Sequence, residues 1–169
     1  MRLLIIILLF STNLIAQYKT EFKGNLLATD QFGYFYEIKD TEIIKYTKQG
    51  EVYRTFSNNV LGVIANVDVT NPYKILVYFR DFTKILILDN FLAETTDAID
   101  LTEIDLDETT LVCRSYNDGT WYYNPVKFEL IRKNQELVTT NTSGNLANLL
   151  GKNIQPNYLQ EYNNKIYLS

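Results

Sequence analysis

Short runs of alternating apolar and polar residues recur along the chain, separated by turn-forming residues. Alternation over a few residues predicts a half-buried β-strand, and aromatic and β-branched residues favour strands. The four clearest runs are GYFYEI from Gly33, KILVYFR from Lys74, GTWYYN from Gly119 and NKIYLS from Asn164. They begin 41, 45 and 45 residues apart, and this spacing predicts a repeated structural unit.

Strand-like segments flank each run, so that the repeated unit contains about four strands. The preceding segments are NLLATD, VIANVDVT, TTLVCRSY and NYLQEY; the following ones are EIIKYT, KILILD and KFELIRK, with VYRTF and ELVTT further on. Only residues 144–153, GNLANLLGKN, predict one or two helical turns. No other window has the period of an amphipathic helix, so the pattern predicts an all-β fold.

Four short strands in about 45 residues resemble a β-propeller blade. The segment NDGTWYYN is similar to the step that begins an inner blade strand in many propellers, and KFELIRKNQEL is similar to the strand and turn that follow. The Gly-His and Trp-Asp marks of WD40 repeats are absent. The chain therefore resembles the divergent propeller-like repeat proteins of bacterial envelopes. A generic all-β sandwich or meander is the alternative.

The chain length accounts for fewer blades than a closed ring contains. The 153 residues after residue 16 make about three and a half units, whereas propellers typically have about 4–8 blades. We therefore expect an incomplete propeller of about three to three and a half four-stranded blades, the N-terminal part of a longer propeller or a truncated frame. Open blade edges would favour association with other chains.

The N-terminal segment MRLLIIILLFSTNLIAQ has the layout of a secretory signal peptide. Arg2 precedes an apolar run over residues 3–10, and Ala16 suits cleavage before Gln17. The run is shorter than the ~20 residues of a membrane span, so an uncleaved anchor or a buried first element is the alternative. The prediction is a signal peptide at 1–16, a propeller-like domain at 17–169 without a transmembrane span, and a periplasmic, outer-membrane-associated or secreted location.

Composition excludes several functions. The net charge is −4 and no Lys/Arg cluster is evident, which argues against nucleic acid as a partner. The chain has no His, so Ser-His-Asp catalysis and the common His-bearing zinc sites are excluded for these residues. The single Cys113 cannot form an intramolecular disulfide and is predicted to be a buried strand thiol.

Carboxylates and aromatic residues supply the remaining candidate chemistry. Asp105, Asp107 and Glu108 lie in DAIDLTEIDLDETT, which predicts an acidic solvated loop and no cofactor; a Ca²⁺ site at these carboxylates is the alternative. Other candidate binding residues lie near predicted strand ends or on an aromatic strand: Asp30, Asp81, Asp118, Trp121 and Tyr123. Their structural alternatives are turn formation for the Asp residues and core packing for the aromatic ones.

The sequence predicts a non-catalytic, exported binding or scaffold module. Its predicted partner is a protein or a glycan in the envelope. The alternative function is a propeller enzyme that acts on carbohydrate or a lactone with carboxylates and calcium. The period of two places Trp121 and Tyr123 on one face of their strand and Tyr122 on the other.

Overall fold

The computed structural model describes residue 24 and residues 26–169, which form an all-β fold. The predicted signal peptide at 1–16 lies outside the described residues. The first sheet contains β1 (Leu26–Thr29), β2 (Phe35–Lys39), β3 (Glu42–Tyr46) and β4 (Val52–Ser57). The second contains β5 (Ile64–Asp68), β6 (Ile75–Phe79), β7 (Lys84–Leu88) and β8 (Ile99–Asp100).

The third sheet contains β9 (Leu111–Arg114), β10 (Thr120–Asn124), β11 (Glu129–Lys133) and β12 (Thr139–Thr142), and the fourth contains β13 (Leu159–Tyr162) and β14 (Lys165–Leu168). A 3₁₀ turn covers Leu101–Ile104, and the helix α1 covers Leu146–Leu150, inside the segment predicted to form one or two turns. None of the described helices has the length and apolar character needed to cross a membrane.

Within each sheet, strands that are consecutive in sequence are antiparallel neighbours. The first strands of the second, third and fourth sheets also meet, because β9 contacts both β5 and β13, and β5 contacts β2 of the first sheet. First strands therefore lie side by side and later strands extend outward from them, which is the arrangement of propeller blades. The predicted incomplete propeller is confirmed as three four-stranded blades and a two-stranded sheet. The generic sandwich is wrong, because the sheets pack around a shared set of inner strands.

The hydrophobic core lies in three layers, each between two adjacent sheets. Strand β6 contributes to two of them: Ile75, Val77 and Phe79 face the first blade, and Leu76 and Tyr78 face the third. All five side chains are fully buried. Burial on both faces explains why this strand is a continuous apolar run and does not alternate.

Strand β10 places its aromatic residues as the alternation predicts. Tyr122 packs between the second and third blades, whereas Trp121 and Tyr123 pack toward the fourth sheet. Cys113 is a buried strand thiol in that same layer, which confirms its prediction, and burial raises the pKa of its thiol. The thiol therefore stays protonated and is shielded from reagents.

Candidate functional site

The turns between first and second strands lie at the same end of the blades as those between third and fourth strands, because consecutive strands are antiparallel. We name this end the site end. Its described turns cover residues 30–34, 47–51, 69–74, 89–93, 115–119, 134–138 and 163–164. These turns also touch across blades: Phe32 meets Tyr73, and Lys74 meets Asp118.

Four turns at the site end share one hydrogen-bonding scheme, in which a side-chain oxygen accepts backbone N–H groups further along the same turn. Asp30 Oδ1 accepts from Phe32 and Tyr34 at 2.9 and 3.0 Å. The turns that begin at Thr47 and Asp89 repeat both bonds, and the turn that begins at Asn134 repeats the second of them. The fourth residue of each turn is left-handed: Gly33, Gly50, Leu92 and Leu137. These side-chain bonds fix the turns that carry the site residues.

An open cleft of about 490 Å³ lies at the site end between the first and second blades. We name it the aromatic cleft, and the residues that define it are Phe32, Tyr34, Tyr53, Tyr73, Lys45 and Lys48. Its volume lies in the range of about 300–1,000 Å³ found for small-molecule sites. No acidic residue is among the described residues that line it.

Aromatic rings at the cleft form three pairs, two of which join the two blades. Phe32 of the first blade meets Tyr73 of the second edge-on, with ring centroids 5.7 Å apart. Tyr34 contacts Tyr53 at 5.5 Å, and Tyr53 contacts Phe91 of the second blade at 6.4 Å. Phe32 and Tyr73 keep 42% and 58% of their surface exposed. Exposed aromatic rings held in pairs offer flat faces for a ligand.

Lys45 is a buried cation in the wall of the cleft. Lys45 is only 2% exposed, and its Nζ donates to the carbonyl oxygen of Asn90 at 2.9 Å. The ammonium lies 4.6 Å from the centre of the Tyr34 ring and 5.1 Å from that of Tyr36. Burial lowers the pKa of Lys45, and the nearby charges of Asp30 and Asp89 oppose that shift. The aromatic faces and these charges favour the protonated form.

A second, polar pocket of about 470 Å³ lies at the site end beside the third blade. Asp118 in its wall accepts from Lys74 at 2.6 Å and from Arg114 at 2.8 Å, and the hydrogen bond from Lys74 is the main cause of its lowered pKa. Glu161 accepts from Ser115 Oγ at 2.5 Å and from Trp121 Nε1 at 2.7 Å. The polar groups of this pocket are thus largely paired with one another.

The candidate binding residues that the sequence suggested do not lie together in the structure. Asp30 and Asp118 lie at the site end, but only Asp118 lines the polar pocket, and Asp30 is bound within its own turn. Asp81 lies at the opposite end, in the turn between β6 and β7, where it accepts from the backbone of Val63 at 3.3 Å. Tyr123 is only 2% exposed, and Trp121 packs in the core layer beside the fourth sheet. These five residues do not form one site.

The acidic segment after the 3₁₀ turn is solvated. Asp105, Asp107 and Glu108 are exposed, and Asp105 ends the turn in a left-handed conformation. Within the described part of the chain, no three His, Cys, Asp or Glu side chains form a group that could hold a metal ion. The geometry therefore gives no support to a calcium site at these three residues.

Sequence reasoning missed the aromatic cleft, although one signal was present. In the strand EIIKY, the period of two puts Lys45 on the face of Ile43, which is fully buried. A lysine on a buried strand face indicates a charge with a special environment. Phe32 and Tyr73 lie in turns, where alternation gives no information, and their pairing depends on the packing of two blades.

The fold and its sheet order define the class of this protein, a β-propeller-like repeat protein. Among solved structures, a Bacteroides fragilis protein named as a candidate exported protein, BF0058, is similar to it with a TM-score of 0.64 and 8% identity over 90% of this chain and 48% of that one. Virginiamycin B lyase from Staphylococcus aureus, as a catalytically inactive His-to-Ala variant with quinupristin, is similar with a TM-score of 0.55 and 10% identity over 85% of this chain and 47% of that one.

BBS1N in complex with ARL6DN is also similar, with a TM-score of 0.51 and 13% identity over 80% of this chain and 42% of that one. The chain thus spans about half the length of these structures or less. No protein-family model and no curated protein matches the sequence. At such low identities, the likeness shows the fold alone.

Proposed function

We propose that this chain is part of an exported propeller that binds a glycan through the aromatic cleft and acts without catalysis. The observation that carries the proposal is the pairing of exposed Phe32 and Tyr73 across two blades, at the mouth of a cleft of about 490 Å³. A pyranose ring has an apolar C–H face that packs on aromatic rings, while its hydroxyls need polar neighbours. Lys48 and Gln31 in the same lining supply them.

Two further observations support the export of this chain. Residues 1–16 have the pattern of an export signal, and one structural neighbour is named as a candidate exported protein.

Glycan binding can be tested on the full chain by calorimetry with oligosaccharides. Phe32→Ala and Tyr73→Ala are expected to weaken binding about tenfold each, since an aromatic contact contributes ~0.5–1.5 kcal/mol beyond its buried area. The matched control is Phe82→Ala, an aromatic residue 53% exposed in a turn at the opposite end, which should leave binding unchanged. Equal losses in all three variants, or binding of a protein and no sugar, would reject the proposal.

An enzyme that acts on carbohydrate or a lactone is the second candidate, favoured by the structural likeness to a lyase. In this alternative, Lys45 and Lys48 would be the charged groups of the cleft that face the bound ligand. Incubation of the chain with each oligosaccharide that binds, followed by mass spectrometry, separates the two functions. Recovery of the intact ligand supports the binding module, and a cleaved product supports the enzyme.

A further inference from the structure

The cleft holds an unusual excess of positive charge. Lys45 and Lys48 both line it, and no acidic residue does among the described ones. The guanidinium of Arg54 lies 4.5 Å from the centre of the Tyr53 ring and brings a third cation close to the cleft. A protein with a net charge of −4 therefore presents a local cationic surface, in a place where aromatic rings are also exposed.

Lys45 has no ion-pair partner within the described part of the chain. An ammonium has three N–H donors, and the one side-chain hydrogen bond of Lys45 to a described residue is to the carbonyl of Asn90. The two nearby acids, Asp30 and Asp89, accept hydrogen bonds from other groups. Asp30 accepts from two backbone N–H groups and the Tyr36 hydroxyl, and Asp89 holds its own turn.

A buried lysine without an acid beside it is uncommon in proteins. Its charge is desolvated, and an anion that entered the cleft would supply both the missing charge and the missing hydrogen-bond acceptors. Lys48 lies at the same wall: its side chain crosses the first-blade turn so closely that a Cβ at Gly33 would meet Lys48 Cε at 3.2 Å. Two lysines in the same lining as a pair of exposed, edge-to-face rings fit a ligand with an apolar face and a negative charge.

We propose that the aromatic cleft recognises an acidic sugar, a hexuronate residue whose ring packs on Phe32 and Tyr73 and whose carboxylate accepts hydrogen bonds from Lys45 and Lys48. This inference rests on the proposed glycan-binding function and narrows its ligand. The carboxylate of a hexuronate is attached directly to the sugar ring, so stacking of the ring and pairing of the charge are made by one residue of the glycan.

The test compares pairs of oligosaccharides that differ in the carboxylate: oligogalacturonate against oligogalactose, and oligoglucuronate against oligoglucose. Calorimetry on the full chain should give binding at least tenfold tighter for an acidic oligosaccharide than for its neutral counterpart. Lys45→Met, which keeps the apolar stem of the side chain, should remove that preference while the neutral oligosaccharide still binds. Lys39→Met, an exposed lysine at the opposite end, is the matched control and should keep the preference.

If the Lys45→Met variant fails to fold, two other measurements still test the preference for an acidic sugar. Lys48→Met should reduce the preference severalfold, and raised salt should weaken acidic but not neutral binding to the wild-type chain. Equal affinity for acidic and neutral oligosaccharides overturns this inference and leaves the glycan-binding function standing. A preference that survives both lysine substitutions overturns it as well. An absence of binding to every oligosaccharide overturns the proposed function together with the inference.

Discussion

Asp30 shows how one side chain determines both a turn and a part of the core. Its Oδ1 accepts two backbone N–H groups of its own turn, and its Oδ2 accepts the hydroxyl of Tyr36 at 2.8 Å. Asp30 is 7% exposed and Tyr36 is fully buried. The turn-forming alternative for Asp30 is therefore the one that the hydrogen bonds support, and its carboxylate is occupied by the protein itself.

Substitution of Asp30 by Ala is expected to destabilise the chain by about 2–4 kcal/mol, because the buried hydroxyl of Tyr36 and two backbone groups would lose their acceptor. Asp81→Ala is the matched control. Asp81 is exposed and accepts one hydrogen bond at 3.3 Å, so its loss should change stability by less than about 0.5 kcal/mol. Urea denaturation measures both variants. Equal losses of stability in the Asp30→Ala and Asp81→Ala variants would contradict this account of Asp30.

Buried tyrosine hydroxyls make stability sensitive to alkaline pH. Burial raises the pKa of Tyr78 to about 12 and likewise that of Tyr122 to about 12, from an ordinary value of 10.0. Below pH 10 both the folded and the unfolded chain hold these protons, so the stabilisation is complete. Between about pH 10 and pH 12 only the unfolded chain releases them, and each tyrosine should lower the free energy of unfolding by ~1.4 kcal/mol per pH unit.

Urea midpoints and tyrosinate absorbance, followed together from pH 9 upward, test this expectation. The absorbance of the folded chain should rise first from the exposed tyrosines, and the last fraction should appear only as the urea midpoint falls. The chain in high denaturant is the control, since all 13 tyrosines should then titrate together. A folded chain that titrates in one step near pH 10 would show that these hydroxyls are not protected.

At the scale of the strand, predictability from the sequence follows burial. Strand β6 is recognisable because burial on both faces requires an unbroken apolar run, and β10 because its three aromatic residues alternate between two core layers. Strand β8 was not predicted, since it has two residues and follows a long connection. The left-handed Leu92 and Leu137 were also not foreseeable, because Leu rarely adopts that conformation.

The site was less predictable than the strands because it depends on contacts between blades. The sequence suggested Asp118 at a turn, and the structure adds its partner Lys74 from the preceding blade. It gave no indication that the turns of Phe32 and Tyr73 would meet. Periodicity describes one strand at a time, whereas a cleft between blades requires the distance between two turns that are about 40 residues apart.

Tyr78 of β6 and Tyr122 of β10 offer a comparison between strands of adjacent blades. Both pack in the layer between the second and third blades. The hydroxyl of Tyr78 donates to the carbonyl of Thr109 at 2.6 Å, whereas the buried hydroxyl of Tyr122 has no hydrogen bond of good geometry within the described residues and only the Thr120 side chain close to it. Tyr78→Phe should therefore cost about 1–2 kcal/mol, and Tyr122→Phe should be neutral or stabilising by up to about 1 kcal/mol.

Thermal and urea unfolding of the two Phe variants measures this difference, with each variant as the control for the other, since both lose one hydroxyl from the same core layer. A destabilising Tyr122→Phe would mean that its hydroxyl has an acceptor, such as a bound water. Equal effects of the two substitutions would show that the bond from Tyr78 to the connection before β9 contributes little to the joining of the blades.

At the scale of the whole molecule, the blades differ in how well their strands are protected. Strand β6 lies between two paired strands and has every side chain buried. All four residues of β12 are exposed, and β13 and β14 form a two-stranded sheet with Tyr162 and Tyr167 exposed at 62% and 48%. Strands with few buried contacts open at low free energy, independently of the rest of the chain.

Hydrogen exchange on the intact chain, followed by mass spectrometry of its peptides, should therefore show a gradient. Amides of β6 and β7 are expected to exchange slowest, and those of β12 to β14 at least tenfold faster, because in stacked repeats each unit depends mainly on its neighbours. The aromatic cleft lies between the first and second blades, on the protected side of this gradient. A site that is held in shape before its ligand arrives requires such protection. Uniform exchange across all four sheets would show that the cleft is no better protected than the polar pocket.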